Sequence, residues 1–288
     1  MRLALGTAQF GLAYGLANTE GQITQSSALE ILEYCKFIGL DTLDTAIAYG
    51  ESEQCLGNVG VTNFNIITKL PCIPEGCADI ENWIMEEVDA SISRLNGISL
   101  YGLMLHRPEQ LLGPSGQKIM SALCSLKKSG IMQKIGISVY SPDEFTALFS
   151  EYSFDIVQCP FNLIDRRLVS SGWLEKLKML GVEVHVRSSF LQGLLLMPRD
   201  KIPDHFRAWD SLWDDWHEWL VKHAVSPVDA CIAFVLSHCN IDQVVVGVDS
   251  KFQLEQIVSA IECISIKAFP DISSLDSNLI NPNNWKTT

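Results

Sequence analysis

Eight short apolar runs rich in Val, Ile and Leu alternate along the chain with longer stretches whose apolar positions recur at helical spacing. Runs of the first kind read as buried strands and stretches of the second as amphipathic helices. The predicted strands are Leu3–Ala8, Thr42–Ala46, Asn65–Leu70, Leu100–His106, Lys134–Tyr140, Asp155–Cys159, Val182–Arg187 and Gln243–Val248. Helices are expected from Ser26 or Ser27 to Phe37, then over Glu51–Leu56, Ile80–Leu95 and Gly116–Lys128. Others follow from Ser141-Pro142-Asp143, over Leu168–Leu180, Pro227–Ser237 and Phe252–Ile261. Serine suits a helix start because its oxygen accepts an otherwise unpaired amide, and proline suits the first turn. The segment from about Leu194 to His223 interrupts the alternation, with Trp209, Trp213, Trp216 and Leu220 at helical spacing. It reads as an amphipathic helix packed on the flank, with an exposed lid or dimer surface as the alternative.

Strand and helix in strict alternation, without a Gly-x-Gly-x-x-Gly fingerprint, predict a closed (β/α)8 TIM barrel rather than a doubly wound sheet. At 288 residues, 47% of them hydrophobic, the chain can fill one large core. It shows no repeat, low-complexity tract or linker. Residues 1–288 are therefore expected to form a single barrel domain with a helical insertion at about 194–223.

Charge and cysteine usage narrow the function. Against 34 acidic residues stand 21 basic ones, a formal charge of −13, which repels nucleic acid and anionic lipid. The nine cysteines include no CxxC pair and no zinc-like spacing with histidine, so no metal site is predicted and reduced thiols in the cytoplasm are expected. No apolar run approaches the ~20 residues of a membrane span, and the N-terminus reads as a strand rather than a signal peptide.

Four residues at the ends of predicted strands carry the chemistry. Asp44 lies within an apolar strand, where a lone carboxylate is costly to bury, and Tyr49 rises from the turn that follows. The next two strands end in Lys69 and His106. A lysine cation beside a phenol favours the phenolate, and a carboxylate beside that lysine keeps it charged. A histidine nearby can orient a carbonyl oxygen or share the proton. Together they describe a general acid aimed at a carbonyl. Taken singly, Lys69 reads as a solvated strand end, His106 as a packed histidine, and Asp44 as a partner for turn amides.

Here the sequence resembles the aldo-keto reductase family nearly end to end. The resemblance rests on Gly6-Thr7-Ala8-Gln9-Phe10-Gly11, on Asp44-Thr45-Ala46 with Tyr49-Gly50, and on Ser52-Glu53, Leu56-Gly57, Thr68-Lys69 and Leu105-His106. It continues through Ile135-Gly136-Ile137-Ser138, Val157-Gln158 with Asn162 and Arg166, Gln192-Gly193-Leu194, Val246-Gly247 and Gln253-Leu254. The resemblance implies reduction of an aldehyde or ketone, with Tyr49, Lys69, Asp44 and His106 as the catalytic set. It implies a nicotinamide cofactor lying extended across the barrel mouth, with Ser138 and Gln158 on its carboxamide and Thr7 and Asp44 close by. The loop Ser188–Gly193, including Phe190 and Gln192, would cover the pyrophosphate, and Gly247 and Gln253 would lie toward the adenosine. Family habit favours NADPH.

The chain also departs from the pattern. Val139 follows the strand-five serine where relatives often have asparagine, and Arg187 stands where many carry an aromatic under the nicotinamide. A planar guanidinium can still stack on a ring. Gln253 replaces a common arginine, Asp249 is acidic and Lys251 is the one cation of that region, which makes NADH a rival cofactor. The N-terminal hairpin that often plugs the barrel base is missing, leaving the tail Leu275–Trp285 as its expected replacement. Two other functions fit the barrel: a cofactor-binding regulatory protein with little turnover, and a lyase or isomerase using Lys69 as a Schiff base. The substrate is set by loops and is not legible.

Overall fold

The computed structural model describes residues 1–18, 20–262, 266 and 268–285. Eight parallel strands close into a barrel in sequence order, with β1 (Leu3–Gly6) paired to β8 (Gln243–Gly247). Between them run β2 (Thr42–Asp44), β3 (Asn65–Leu70), β4 (Leu100–Leu105), β5 (Met132–Ser138), β6 (Ile156–Pro160) and β7 (Glu183–Arg187). The TIM barrel expected from the alternation is the fold observed. Strand ends differ from expectation by up to two residues: Ala46, His106 and Tyr140 lie in the loops just beyond the ladder.

The helices of the outer ring are α1 (Gln25–Ile38), α2 (Ser52–Val59), α3 (Ile80–Arg94), α4 (Gly116–Lys128) and α5 (Glu144–Glu151). Then come α6 (Arg167–Ser170), α7 (Trp173–Met179), α8 (Asp210–His223), α9 (Pro227–Leu236), α10 (Lys251–Glu262) and the short α11 (Ser277–Ile280). The cap of α1 is Thr24 rather than either serine: its hydroxyl accepts the amide of Ser27 at 3.2 Å. The single helix expected over Leu168–Leu180 is split, because Gly172 turns left-handed at φ 76°. Within the Trp-rich insertion three 3-10 turns precede α8. Trp213 and Trp216 are fully buried, and their indole N–H groups donate to the carbonyls of Phe206 (3.0 Å) and Leu195 (3.1 Å). These two pack inward as the flank-packing reading expects, while Trp209 and Trp219 are half-buried.

Inside the barrel Ile67, Met104 and Ile156 form a compact layer. Below it, at the amino ends of the strands, Tyr101, Lys134, Glu183 and His185 are joined by hydrogen bonds, including 2.9 Å from the Tyr101 hydroxyl to Glu183 and 2.7 Å between His185 and Glu183. Arg2 closes the same end on the carbonyls of Leu236, His238 and Ile241. The tail does not plug the base. It runs over the opposite end, where Ser274 donates to the carbonyl of Ile164, Trp285 packs on Phe206 with ring centroids 4.9 Å apart, and Pro282 and Asn283 reach the cleft. Among the described residues no single helix is long and apolar enough to cross a membrane, and no group of His, Cys, Asp or Glu could hold a metal ion.

Candidate active site

The carboxyl ends of the strands surround a cleft of about 650 Å³, a size suited to a small-molecule ligand. At its floor Asp44, 3% exposed, accepts the Lys69 ammonium on Oδ1 at 2.6 Å and the Gln158 amide on Oδ2 at 2.7 Å. Lys69 is fully buried and also donates to the carbonyl of Thr45 at 2.9 Å. Burial disfavours its charge, but Asp44 and Tyr49 together outweigh that and the lysine pKa is raised. The ammonium lies 5.1 Å from the centre of the Tyr49 ring. The cation thus sits between carboxylate and phenol, as the order of the strands implies. The Tyr49 hydroxyl makes no hydrogen bond to a described residue and faces the cleft.

The turn that presents Tyr49 depends on two glycines meeting face to face. A Cβ on Gly11 would lie 1.9 Å from the Tyr49 carbonyl oxygen, and Gly50, at φ 54°, would strike the carbonyl of Gly11 at 2.4 Å. Beneath the turn Thr7, Ser52 and Thr45 form a buried hydroxyl chain, and both the amide and the hydroxyl of Thr7 donate to the carbonyl of Asp44. Thr7 borders the cleft, but its hydroxyl supports the strand that carries Asp44. Glu53, 1% exposed, ties α2 to β3 and α3 through Thr68, Ser91 and Arg94. The motifs around Tyr49 and Lys69 therefore contain their own scaffolding.

His106 meets Tyr49 edge to face, with centroids 5.9 Å apart. Burial first, then the charges of Lys69 and Arg187, lower its pKa to about 4. That shift favours the neutral imidazole, which can orient a carbonyl by hydrogen bonding.

Gln158 is turned toward Asp44, and Ser138 donates to its Oε1 at 3.3 Å. Both residues line the cleft, so the wall where a carboxamide would dock is continuous with the Lys69–Asp44 pair. Arg187 lies over the Tyr140 ring at 4.7 Å, with hydrogen bonds to the Val139 carbonyl and the Ser188 hydroxyl. Val139 itself is buried in the core.

The cleft extends from this cluster toward β8. Ser188, Phe190, Gln192 and Gly193 line it from the β7 loop, with Ser188, Gln192 and Gly193 all at positive φ. Ser189 in the same loop is 2% exposed and its hydroxyl has no partner. A buried, unsatisfied donor bordering the groove suits an acceptor on a ligand such as a phosphate oxygen. Gly247 and Gln253 lie at the far end, where a side chain on Gly247 would run into Gln9. There Asn18 of the β1 loop donates to Asp249 at 2.9 Å, and the amide of Ala17 reaches the Gln192 carbonyl at 3.4 Å. The β1 loop therefore touches both loops that frame the groove. The groove is lined continuously from Tyr49 to Gln253, so its residues could hold an extended ligand. Tyr14, Asn18 and Tyr140 also line the cleft and are not singled out by the sequence; of these Tyr14, inside the glycine-marked loop, carries a visible signal.

A family model described as the Aldo/keto reductase family matches residues 2–277. The chain is 27% identical over 149 residues, 46% of its length, to YcsN, an uncharacterized oxidoreductase of Bacillus subtilis (strain 168). That match spans about half, 49%, of the relative. Among solved structures it resembles the holo form of an aldo-keto reductase from Bacillus halodurans, with a TM-score of 0.72 and 20% identity over 92% of this chain and 88% of that one. At that identity the likeness carries the fold alone. Matched by the family model over residues 2–277, the chain belongs to the aldo/keto reductase family.

Proposed function

We propose that the protein reduces an aldehyde or ketone to an alcohol with a nicotinamide dinucleotide as reductant. The observation that carries this is the buried Lys69–Asp44 pair set beneath a phenol whose oxygen is free to face the cleft. The bound cofactor supplies the hydride. Tyr49 gives its proton to the carbonyl oxygen as negative charge develops there, and the Lys69 ammonium stabilises the phenolate left behind. Asp44 keeps Lys69 charged, and neutral His106 donates a hydrogen bond that aims the carbonyl. Ser138 and Gln158 would hold the carboxamide, Arg187 would flank the nicotinamide ring, and the β7 loop from Ser188 to Gly193 would cover the pyrophosphate.

Charge at the adenosine end favours NADH. Asp249 and Gln253 line it, and Asp249 stands 2.9 Å from the Asn18 amide. Lys251 is turned away, against Glu255 at 3.3 Å and the Tyr34 ring. A carboxylate accepts a ribose hydroxyl and repels a 2′-phosphate. The eight cysteines among the described residues are free, which supports a reducing, cytoplasmic setting.

The test is fluorescence titration with NADH and NADPH, then reduction of 4-nitrobenzaldehyde. Tyr49→Phe is expected to bind the dinucleotide and lose about 10²–10⁴ in kcat. No dinucleotide binding, or an undiminished Tyr49→Phe rate, refutes the reading. Binding without turnover of any carbonyl hands the protein to the regulatory alternative.

A further inference from the structure

The eight arginines divide by what holds them. Arg94, Arg167, Arg199 and Arg207 form salt bridges with carboxylates. Arg2 and Arg166 cap main-chain carbonyls. Arg107 makes no side-chain hydrogen bond to any described residue, and Arg187 has only one carbonyl and one hydroxyl. Four of the eight guanidiniums thus have no carboxylate bridge among the described residues, and Arg107 and Arg187 are the two of these with the fewest carbonyl acceptors. Both lie over one ring: Arg187 is 4.7 Å and Arg107 5.4 Å from the centre of Tyr140.

That ring is fixed from behind. The amide of Tyr140 donates to Glu144 at 2.8 Å, and its carbonyl accepts Arg167 at 3.0 Å, while Arg167 is held bidentately by Asp165. Glu144 and Asp165 are thereby engaged with other partners, and neither bridges Arg107 or Arg187. Arg107 directly follows His106, and both guanidiniums bear on that imidazole along with Lys69. Tyr140 and Arg187 line the cleft at its Tyr49 and His106 end, and Arg107 follows His106 on the loop after β4, whereas Gly247 and Gln253 line the other end.

We propose that Arg107 and Arg187, spaced by Tyr140, form a subsite for an anionic group carried by the carbonyl substrate, a carboxylate or a phosphate. The inference rests on the reductase reading above and adds the class of compound reduced. Guanidiniums bind both groups through paired N–H donors, and partial burial beside an aromatic face strengthens the contact. Arg107 supplies the exposed arm and Arg187 the half-buried one, so the anion enters first and the carbonyl follows toward Tyr49 and His106.

The experiment compares kcat/KM for succinic semialdehyde against butanal and for glyceraldehyde 3-phosphate against glyceraldehyde, with NADH saturating. The charged member of at least one pair is expected to be preferred by about tenfold or more. The larger gain identifies the anion. Arg107→Met should cut that preference about tenfold, through KM of the charged compound, and Arg107→Lys should restore part of it. The preference should also shrink as salt is raised. Calorimetry gives a readout without turnover: succinate should bind the protein–NAD⁺ complex more tightly than succinamide does. Equal or reversed preference in an enzyme that turns over neutral aldehydes overturns the subsite and leaves the reductase standing. So does an unchanged ratio in Arg107→Met. Failure to bind any dinucleotide sinks the reductase reading first; succinate binding no tighter than succinamide to the free protein then overturns the subsite as well.

Discussion

Replacing Asp44 by asparagine tests the centre of the site without changing its shape. Lys69 would keep its burial and lose the carboxylate now 2.6 Å from its ammonium. Breaking a buried pair from one side costs about 3–5 kcal/mol, since the remaining charge is left uncompensated. The asparagine oxygen still accepts one hydrogen bond, which places the cost near 3 kcal/mol. For a chain of this size that is a fall in Tm of about 6–12 °C. The loss should depend on pH in a defined direction. In the native protein the Lys69 pKa is raised, so its pairing contributes stability below the unfolded value of about 10.4 and loses it as pH rises through the folded value. In the variant burial and the Arg187 charge, opposed only by Tyr49, favour the neutral amine, so the penalty is present at neutral pH and fades as the lysine deprotonates. Thermal unfolding of both proteins from about pH 6.5 to 9.5 should show curves that converge with rising pH. Asp44→Asn combined with Lys69→Met should cost less than the sum of the two single changes. A Tm loss below about 2 °C at neutral pH, or a gap that does not narrow, would mean that Lys69 is not held charged by Asp44.

Because His106 titrates near 4 rather than 6.5, the folded state gains stability from its neutral form above pH 6.5 and loses that gain as pH falls toward 4. Its imidazole resonances should move near pH 4, and His106→Asn should weaken the acid sensitivity of Tm between those limits; a midpoint near 6.5 would contradict the buried, cation-flanked position. At the other end of the groove, Asp249→Ser with Gln253→Arg should raise NADPH affinity about tenfold or more relative to NADH, read by cofactor fluorescence. An unchanged ratio would place the adenosine elsewhere.

The barrel was legible because its evidence is periodic. Buried strands such as Asn65–Leu70 and helices such as Gly116–Lys128 run unbroken in the structure, since one apolar pattern sets each. The misreadings fall where backbone conformation decides. Gly172 adopts a left-handed conformation and divides a helix that the side-chain pattern continues through, and Thr24 takes the α1 cap although two serines follow it. The tail runs over the end opposite to the expected one, because nothing in Leu275–Trp285 records which side of the barrel Phe206 and Ile164 occupy.

Within the site the sequence indicates identity and the fold supplies coupling. Asp44, Lys69, Tyr49 and His106 stand out because charged and aromatic residues at apolar strand ends are costly without a purpose. The contact between Asp44 and Gln158 joins residues 114 positions apart, and no spacing rule anticipates it. That contact has a chemical consequence. One Asp44 oxygen holds Lys69 and the other holds Gln158, so the carboxylate that supports the acid also fixes the wall of the nicotinamide pocket proposed here. Any movement of Gln158 on cofactor binding would redistribute hydrogen bonding on Asp44 and so alter the field that Lys69 presents to Tyr49. If Tyr49 is the acid proposed here, cofactor binding and acid strength would be linked through a single buried carboxylate, which would tie readiness to donate a proton to the presence of the hydride donor.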